Sequence, residues 1–411
     1  MNRSVLREPA LLALLAREVV SVTGSMMTWV ALPWFVLTTT GSVTRMAVVV
    51  AVQAAANGIV GFASGNLASR LGPKRTMLIS DLARAPLMAL IPALHFLDLL
   101  SFPVLLALVF AIGSFSTPAF ASKGAILPDI VGEDEGRLGQ ANALLQMAMR
   151  LAAVLGPSLA GVLIGFVGTT TVLIVDAATF AAGFLLIGLF VRTGAAKPAT
   201  PETRGLAAGV RFLMGDRLLR PWSMAVVVGD VTWLAFFVAV PFLVLQRFGE
   251  EPQIFGLIAG GFGLGAVIGS AVIYRLAPRV DRLLLGSIGT PFMVAPVWLF
   301  IADVPAPFLI GAMIVAGLAN GLINAPLWTI FTIRTPAHLR AKALAAIIAS
   351  TQLIGPLALI GTGPALANVG LSETLAAICI VQTSAAIVFM TAGLRERFRP
   401  MVAEPVTGAQ T

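Results

Sequence analysis

Charge is what this chain has least of. Only 11% of its 411 residues are Asp, Glu, Lys or Arg, where a water-soluble domain carries about a quarter. With 58% hydrophobic residues, the chain cannot hide its apolar surface from water by folding alone. A single cysteine, Cys379, excludes an intramolecular disulfide framework and a cysteine metal cluster, and its place in an apolar run reads as a packed small residue. The two histidines, His95 and His338, fall at opposite helix ends without a nucleophile–base pair or a metal-ligand spacing, so enzyme chemistry is not expected. No Gly-Lys-Ser/Thr phosphate loop occurs, which removes ATP as the expected energy source; no cofactor or metal is implied.

What is present is a dozen apolar runs of about 20 residues or more, each long enough to cross roughly 30 Å of hydrocarbon as a helix. They extend from 11–37 to 371–393 and predict an all-α membrane protein of twelve transmembrane helices embedded in a lipid bilayer. Arg3 and Arg7 precede the first run, which is too long for a cleaved leader and reads as an uncleaved span. Of the 27 Lys and Arg residues, 23 fall on one side of the predicted membrane, two (Arg45 and Arg247) on the other, and two (Arg84 and Arg150) within spans. The positive-inside rule places that basic side, with both termini, in the cytoplasm beneath the cell membrane. The formal net charge of +8 is thus spread over short loops facing anionic lipid, and nucleic acid is not an expected partner.

The runs form a tandem duplication. Ala31-Leu-Pro-Trp-Phe-Val-Leu37 returns 208 residues on as Ala239-Val-Pro-Phe-Leu-Val-Leu245, and at the same offset Gly41 meets Gly249, Pro118 meets Pro326 and Pro128 meets Pro336. Repeats of this kind, in so apolar a chain, predict a transporter with a central site between two pseudo-symmetric halves. The expected layout is a six-helix bundle over 1–192, a cytoplasmic linker over 193–220 and a second six-helix bundle over 221–411, acting as a monomer. The distal linker, from Gly209 to Arg220, reads equally as a short amphipathic helix or a solvated loop.

Between the second and third spans, Gly65-Asn-Leu-Ala-Ser-Arg70-Leu-Gly72-Pro-Lys74-Arg75 resembles the signature loop of the major facilitator superfamily, with Ser69 where that family has an acid. The resemblance implies a conformational latch in which Gly65 and Gly72 serve close packing while Arg70, Lys74 and Arg75 make contacts between the halves. Asp81 and Arg84, three residues apart on the third span, are expected to pair on one helical face and belong to the same region. In the fifth span, Gly156-Pro157-Ser-Leu-Ala-Gly161 is similar to the antiporter motif of proton-coupled exporters, where proline bends the helix and glycine admits a neighbour. Strings around Glu18, Leu127-Pro-Asp129 and Asp176-Ala-Ala-Thr-Phe180 resemble the drug and macrolide efflux branch, which implies export of amphiphilic small molecules by alternating access.

Ionised groups inside the spans are expensive and default to function. By this placement they are Glu18, Asp81, Asp176 and Asp230 with Arg84 and Arg150. Glu18 and Asp230 are expected to line the central cavity and exchange protons, the coupling ion, with Arg150 modulating them. Asp176 reads as structural. Trp29, Trp34, Phe35, Trp233, Phe236, Phe237 and Trp328 are candidate apolar walls, and Gln53, Asn57, Asn320 and Asn324 candidate polar ones. Those polar residues also keep open a transporter of one specific metabolite or siderophore, working by export, uptake or uniport. A non-transporting sensor would normally add a soluble domain.

Overall fold

A computed structural model describes residues 7–132, 134–191, 206–276, 281–336 and 339–398, and all regular structure among them is helical. Helices satisfy every backbone group internally, which hydrocarbon demands. The order is α1 (Pro9–Thr40), α2 (Val43–Leu71), α3 (Pro73–Phe96), α4 (Phe102–Ala125), the short α5 (Leu127–Val131), α6 (Glu135–Phe190), α7 (Leu206–Gly215), α8 (Leu219–Phe248), α9 (Pro252–Leu276), α10 (Arg282–Val294) extended by a 3-10 segment (Ala295–Phe300), α11 (Ala306–Arg334), α12 (Arg340–Asn368) and α13 (Leu371–Arg397). Among the described residues, eleven helices are long and apolar enough to cross a membrane. The 56-residue α6 supplies two crossings, because Gly168 leaves helical geometry at φ 79°. Twelve crossings result.

Backbone geometry repeats with the sequence. Gly41 and Gly249, 208 residues apart, end α1 and α8 with φ of 62° and 76°, conformations that a side chain would oppose. Pro33 and Pro241 lie inside those same two helices. Gly72, in the loop signature, turns α2 into α3 at φ 81°, followed by Pro73 at the first helical position.

The packing is asymmetric along the helix axes. At the end where α1 and α8 finish, one apolar core joins both halves, including Trp34 and Phe35 of α1 with Phe236 and Val240 of α8. Trp34, Phe35 and Phe236, at 3%, 1% and 0% exposure, are therefore core residues and not the cavity walls their aromatic character predicted. At the other end the cores are separate: Leu11, Leu14 and Ile187 belong to one, Leu213, Trp222 and Phe389 to the other. The halves are thus joined at one end and divided at the end bearing α7.

Two seams at which glycine admits a close neighbour make the joint. Between α6 and α9, a Cβ on Gly161 would stand 2.7 Å from the Cα of Gly256. Between α12 and α2, a Cβ on Gly363 would meet the Cβ of Ala47 at 2.7 Å and the Cα of Thr44 at 2.9 Å. Such backbone approach maximises dispersion contact where no hydrophobic drive exists between helices in lipid.

At the divided end the described ion pairs stay within a half: Arg137 with Glu8, Arg397 with Asp281, and Arg334 with Asp216 and Glu396. Lys74 donates to the Gly188 carbonyl at 3.5 Å, also within the first half, and Arg75 is exposed. The inter-half latch expected of these two residues is not formed by the contacts described. Gly65 and Arg70 fall in 61–70, where the helical backbone but not the side-chain surroundings lie within the described residues. The distal linker is helical as α7, whose Gly209 packs against the Lys342 backbone at the start of α12.

Two outcomes follow from this packing. Gly161→Leu should force α6 from α9 and lower stability by about 1–3 kcal/mol, read as a depressed melting temperature of the detergent-solubilised protein; an unchanged value would refute the seam. Asp216 accepts the N–H groups of Leu218 and Leu219 at 2.8 Å each and pairs with Arg334. Burial opposes its charge, but the Leu219 N–H and the Arg334 guanidinium prevail and hold its pKa below the ordinary carboxylate value. Its contribution is therefore complete above the unfolded value of about 4 and lost as pH falls through the lower folded value. Melting curves recorded across that acid range should show a shallower pH dependence in Asp216→Asn.

Candidate transport site

The first half holds a buried charge cluster. Arg17 and Glu18, adjacent on α1, pair with each other, and Arg17 also makes a two-pronged contact with Asp81 of α3 at 2.7 and 3.1 Å. Lys123 of α4 donates to Glu18 Oε2 at 3.1 Å. Arg84 lies over the Phe180 ring at 3.8 Å and donates to Ser25, while Asp176 accepts from Thr28 at 2.5 Å and Thr179 at 3.1 Å. Glu18, Asp81 and Asp176 are each 0% exposed. Three cations balance three anions, so the cluster is formally neutral, and the low dielectric that punishes a lone charge strengthens each pair.

This arrangement corrects three expectations. Glu18 does not line the central cavity; it is locked between two cations inside the first bundle. Asp81 pairs with Arg17 across two helices and not with Arg84 along one, because a guanidinium facing it head-on gives two hydrogen bonds where an i, i+3 neighbour gives a glancing contact. Asn57 is also withdrawn from the cavity: it accepts from Ser116 at 2.6 Å and joins α2 to α4, and neither Asn57 nor Gln53 lines either cavity described below. Arg17 and Lys123 were missed as buried ions because both sit near span ends and read as loop charges; no sequence signal other than their spacing from Glu18 and Phe120 would have found them.

Two cavities meet at Asp230. The first, about 500 Å³, lies between the halves and is lined by Trp29 of α1, Arg150 and Pro157 of α6, and Asp230, Trp233 and Phe237 of α8. The second, about 300 Å³, lies inside the second half among α8, α9, α10, α11 and α13, and takes in Asn320, Asn324 and Trp328. Asp230, Trp233 and Phe262 line both. Seven predicted residues (Trp29, Arg150, Asp230, Trp233, Asn320, Asn324, Trp328) are thus brought to the cavities.

The aromatic wall is interlocked: Trp29 meets Phe237 edge-on at 4.8 Å, and Trp233 meets Phe262 at 4.9 Å. Asp230 stands open to the cavity, its one described contact being the Thr351 hydroxyl of α12 at 3.5 Å. Arg150 donates to Ser270 of α9 at 3.1 Å, spanning the halves. Gly156 lets α6 meet Met26 and Thr23 of α1, with the Thr23 carbonyl 2.9 Å from where a Cβ would stand. The arrangement can hold an apolar ring system against one carboxylate without committing that carboxylate to a protein cation.

Removing Asp81 tests the scaffold. Asp81→Asn leaves Arg17 over-charged in the bundle and should cost about 3–5 kcal/mol of stability, visible in melting temperature. Protein that survives purification should keep its helical content; an unchanged melting temperature would refute the buried pairing of Asp81 with Arg17.

Residues 18–359 match the model of the Major Facilitator Superfamily. The chain is 26% identical over 391 residues to a protein of Mycobacterium tuberculosis named multidrug efflux pump Tap, covering 91% of each chain, and 26% identical over 390 residues to its namesake from Mycolicibacterium fortuitum, covering 91% and 93%. In fold it is similar to a point mutant of the nucleoside transporter NupG, with a TM-score of 0.75 at 14% identity over 93% of this chain and 99% of that one. A bacterial homologue of the lysosomal transporter Spinster, inward-facing and occupied, gives 0.74 at 14% identity over 97% and 100%.

Proposed function

Because the chain belongs to the Major Facilitator Superfamily, and is therefore a multi-pass membrane transporter of small molecules, we propose that it exports cationic, amphiphilic compounds in exchange for protons. The observation that carries this reading is Asp230, an uncommitted carboxylate facing an aromatic cavity between the halves. The efflux names of its relatives support the direction and the substrate class.

In the proposed cycle the cavity opens toward the cytoplasm, at the divided end of the molecule, and the Asp230 carboxylate attracts a protonated amine while Trp29, Trp233, Phe237 and Phe262 cover its apolar body. The halves then rock about the α6–α9 and α2–α12 seams. A proton arriving from outside neutralises Asp230, the ion pair is lost and the cation leaves. Arg150, linked to Ser270 of the other half, is placed to feel both the charge on Asp230 and the separation of the halves. Exchange demands that one group bind either proton or cation, and a carboxylate already paired to a guanidinium, as Asp81 is, does this poorly. We propose as its parts a first bundle over 1–192, a linker over 193–220 and a second bundle over 221–411, with both termini cytoplasmic, as the sequence repeat and the distribution of basic residues suggest.

The test is proton flux in vesicles reconstituted with full-length protein under an imposed pH gradient. Addition of ethidium, an aromatic cation, should release protons from wild type and not from Asp230→Asn, whereas Glu18→Gln, if it folds, should retain coupling. Proton release undiminished in Asp230→Asn would end the assignment.

A further inference from the structure

The chamber inside the second half contains a group left unpartnered among the described residues. Gln382 of α13 lines it at 2% exposure, and among the described residues neither its Oε1 nor its Nε2 has a hydrogen-bond partner. A buried carboxamide in that condition is destabilising, since the desolvation of donor and acceptor is not compensated. Around it the walls are mostly apolar, including Val226, Ile323, Leu327 and Phe389, with Thr290, Asn320, Asn324 and Asp230 as the other polar liners; Asn320 contacts only the Met293 sulfur, at 3.6 Å, among the hydrogen bonds described. The chamber opens past Trp233 and Phe262 onto Asp230, which lines the main cavity as well.

We propose that this chamber is a substrate subsite for a neutral group that carries both a hydrogen-bond donor and an acceptor, such as an amide, lactam or urea. The inference rests on the reading of Asp230 as the cation site and extends it to the rest of the ligand. A carboxamide offers both a donor and an acceptor; a second cation supplies donors only, and a carboxylate supplies acceptors only and is repelled by Asp230. The chamber's volume of about 300 Å³ admits a ring or short chain bearing one such group. The preferred substrate therefore carries a protonated amine, held at Asp230, and an amide-type group that reaches Gln382 past the aromatic pair.

Procainamide and procaine test this directly, since both are aromatic tertiary amines of nearly equal size and differ in an amide against an ester, that is, in one N–H donor. Binding to the full chain in nanodiscs, measured by calorimetry, should favour procainamide by about tenfold, the worth of one well-made buried hydrogen bond. Gln382→Met should abolish that preference by weakening procainamide alone, and should raise the melting temperature of the unliganded protein, because an unsatisfied amide has been replaced by an apolar side chain of similar volume. Equal affinity of wild type for both compounds, or a preference that survives Gln382→Met, would show that the chamber holds at most water. A lowered melting temperature would overturn the proposal from the other side, since it would mean that the amide is already satisfied. Asp230→Asn should weaken both compounds alike; if instead it weakens neither while Gln382→Met removes the preference, the cation reading fails and the subsite stands.

Discussion

A charge withdrawn from water must find an opposite charge or keep a water-filled face, and in this protein that one electrostatic constraint separates scaffold from working site. The first half obeys it by pairing. Arg17, Glu18, Asp81 and Lys123 neutralise one another in a chain of contacts, and Asp176 is held by two threonine hydroxyls near Arg84, itself laid on an aromatic face. Asp230 obeys it by facing a cavity. Both solutions tolerate ionised side chains among hydrocarbon, but only the second leaves a carboxylate free to change partners.

The packing supports the same division. Glycines at the α6–α9 and α2–α12 seams bring the two halves to close approach. One shared core at one end and two cores at the other would let the proposed rotation about the seams leave each core intact. The described ion pairs at that end lie within the halves, so the halves can part without stripping a charge of its partner.

Much of this was legible in the sequence, for identifiable reasons. Hydrocarbon imposes length and apolarity on each crossing, so the helices declare themselves; duplication doubles the signal, and Gly41 and Gly249 share positive φ as their offset predicts. Asp230, Trp233, Asn320, Asn324 and Trp328 stood out as polar or large residues in apolar runs and do line the cavities. Glu18 and Asn57 stood out equally and do not, because rarity in a run cannot tell a cavity from a helix–helix contact. Arg17 and Asp81 are 64 residues apart, and no periodicity along either helix announces their meeting. Gln382 carries the same signal as Gln53, a lone carboxamide in an apolar stretch, and of the two it is Gln382 that lines a chamber.

The duplication also explains why that chamber exists. The positions 208 residues after Arg17, Glu18, Asp81, Arg84 and Lys123 are Ala225, Val226, Gly289, Phe292 and Phe331. Where one half has charged side chains at all five positions, the other has alanine, valine and glycine at three and phenylalanine at two. Ala225 and Val226 line the open chamber itself. Two copies of one scaffold thus differ at equivalent places: the first holds a formally neutral set of ion pairs, and the second has small residues at Ala225 and Val226 where the chamber opens beside Asp230, while Ile323 packs on Gly289 and Phe331 is buried. In the proposed cycle this division would leave ligand accommodation to the second half, where the open chamber lies, and the buried ion pairs to the first.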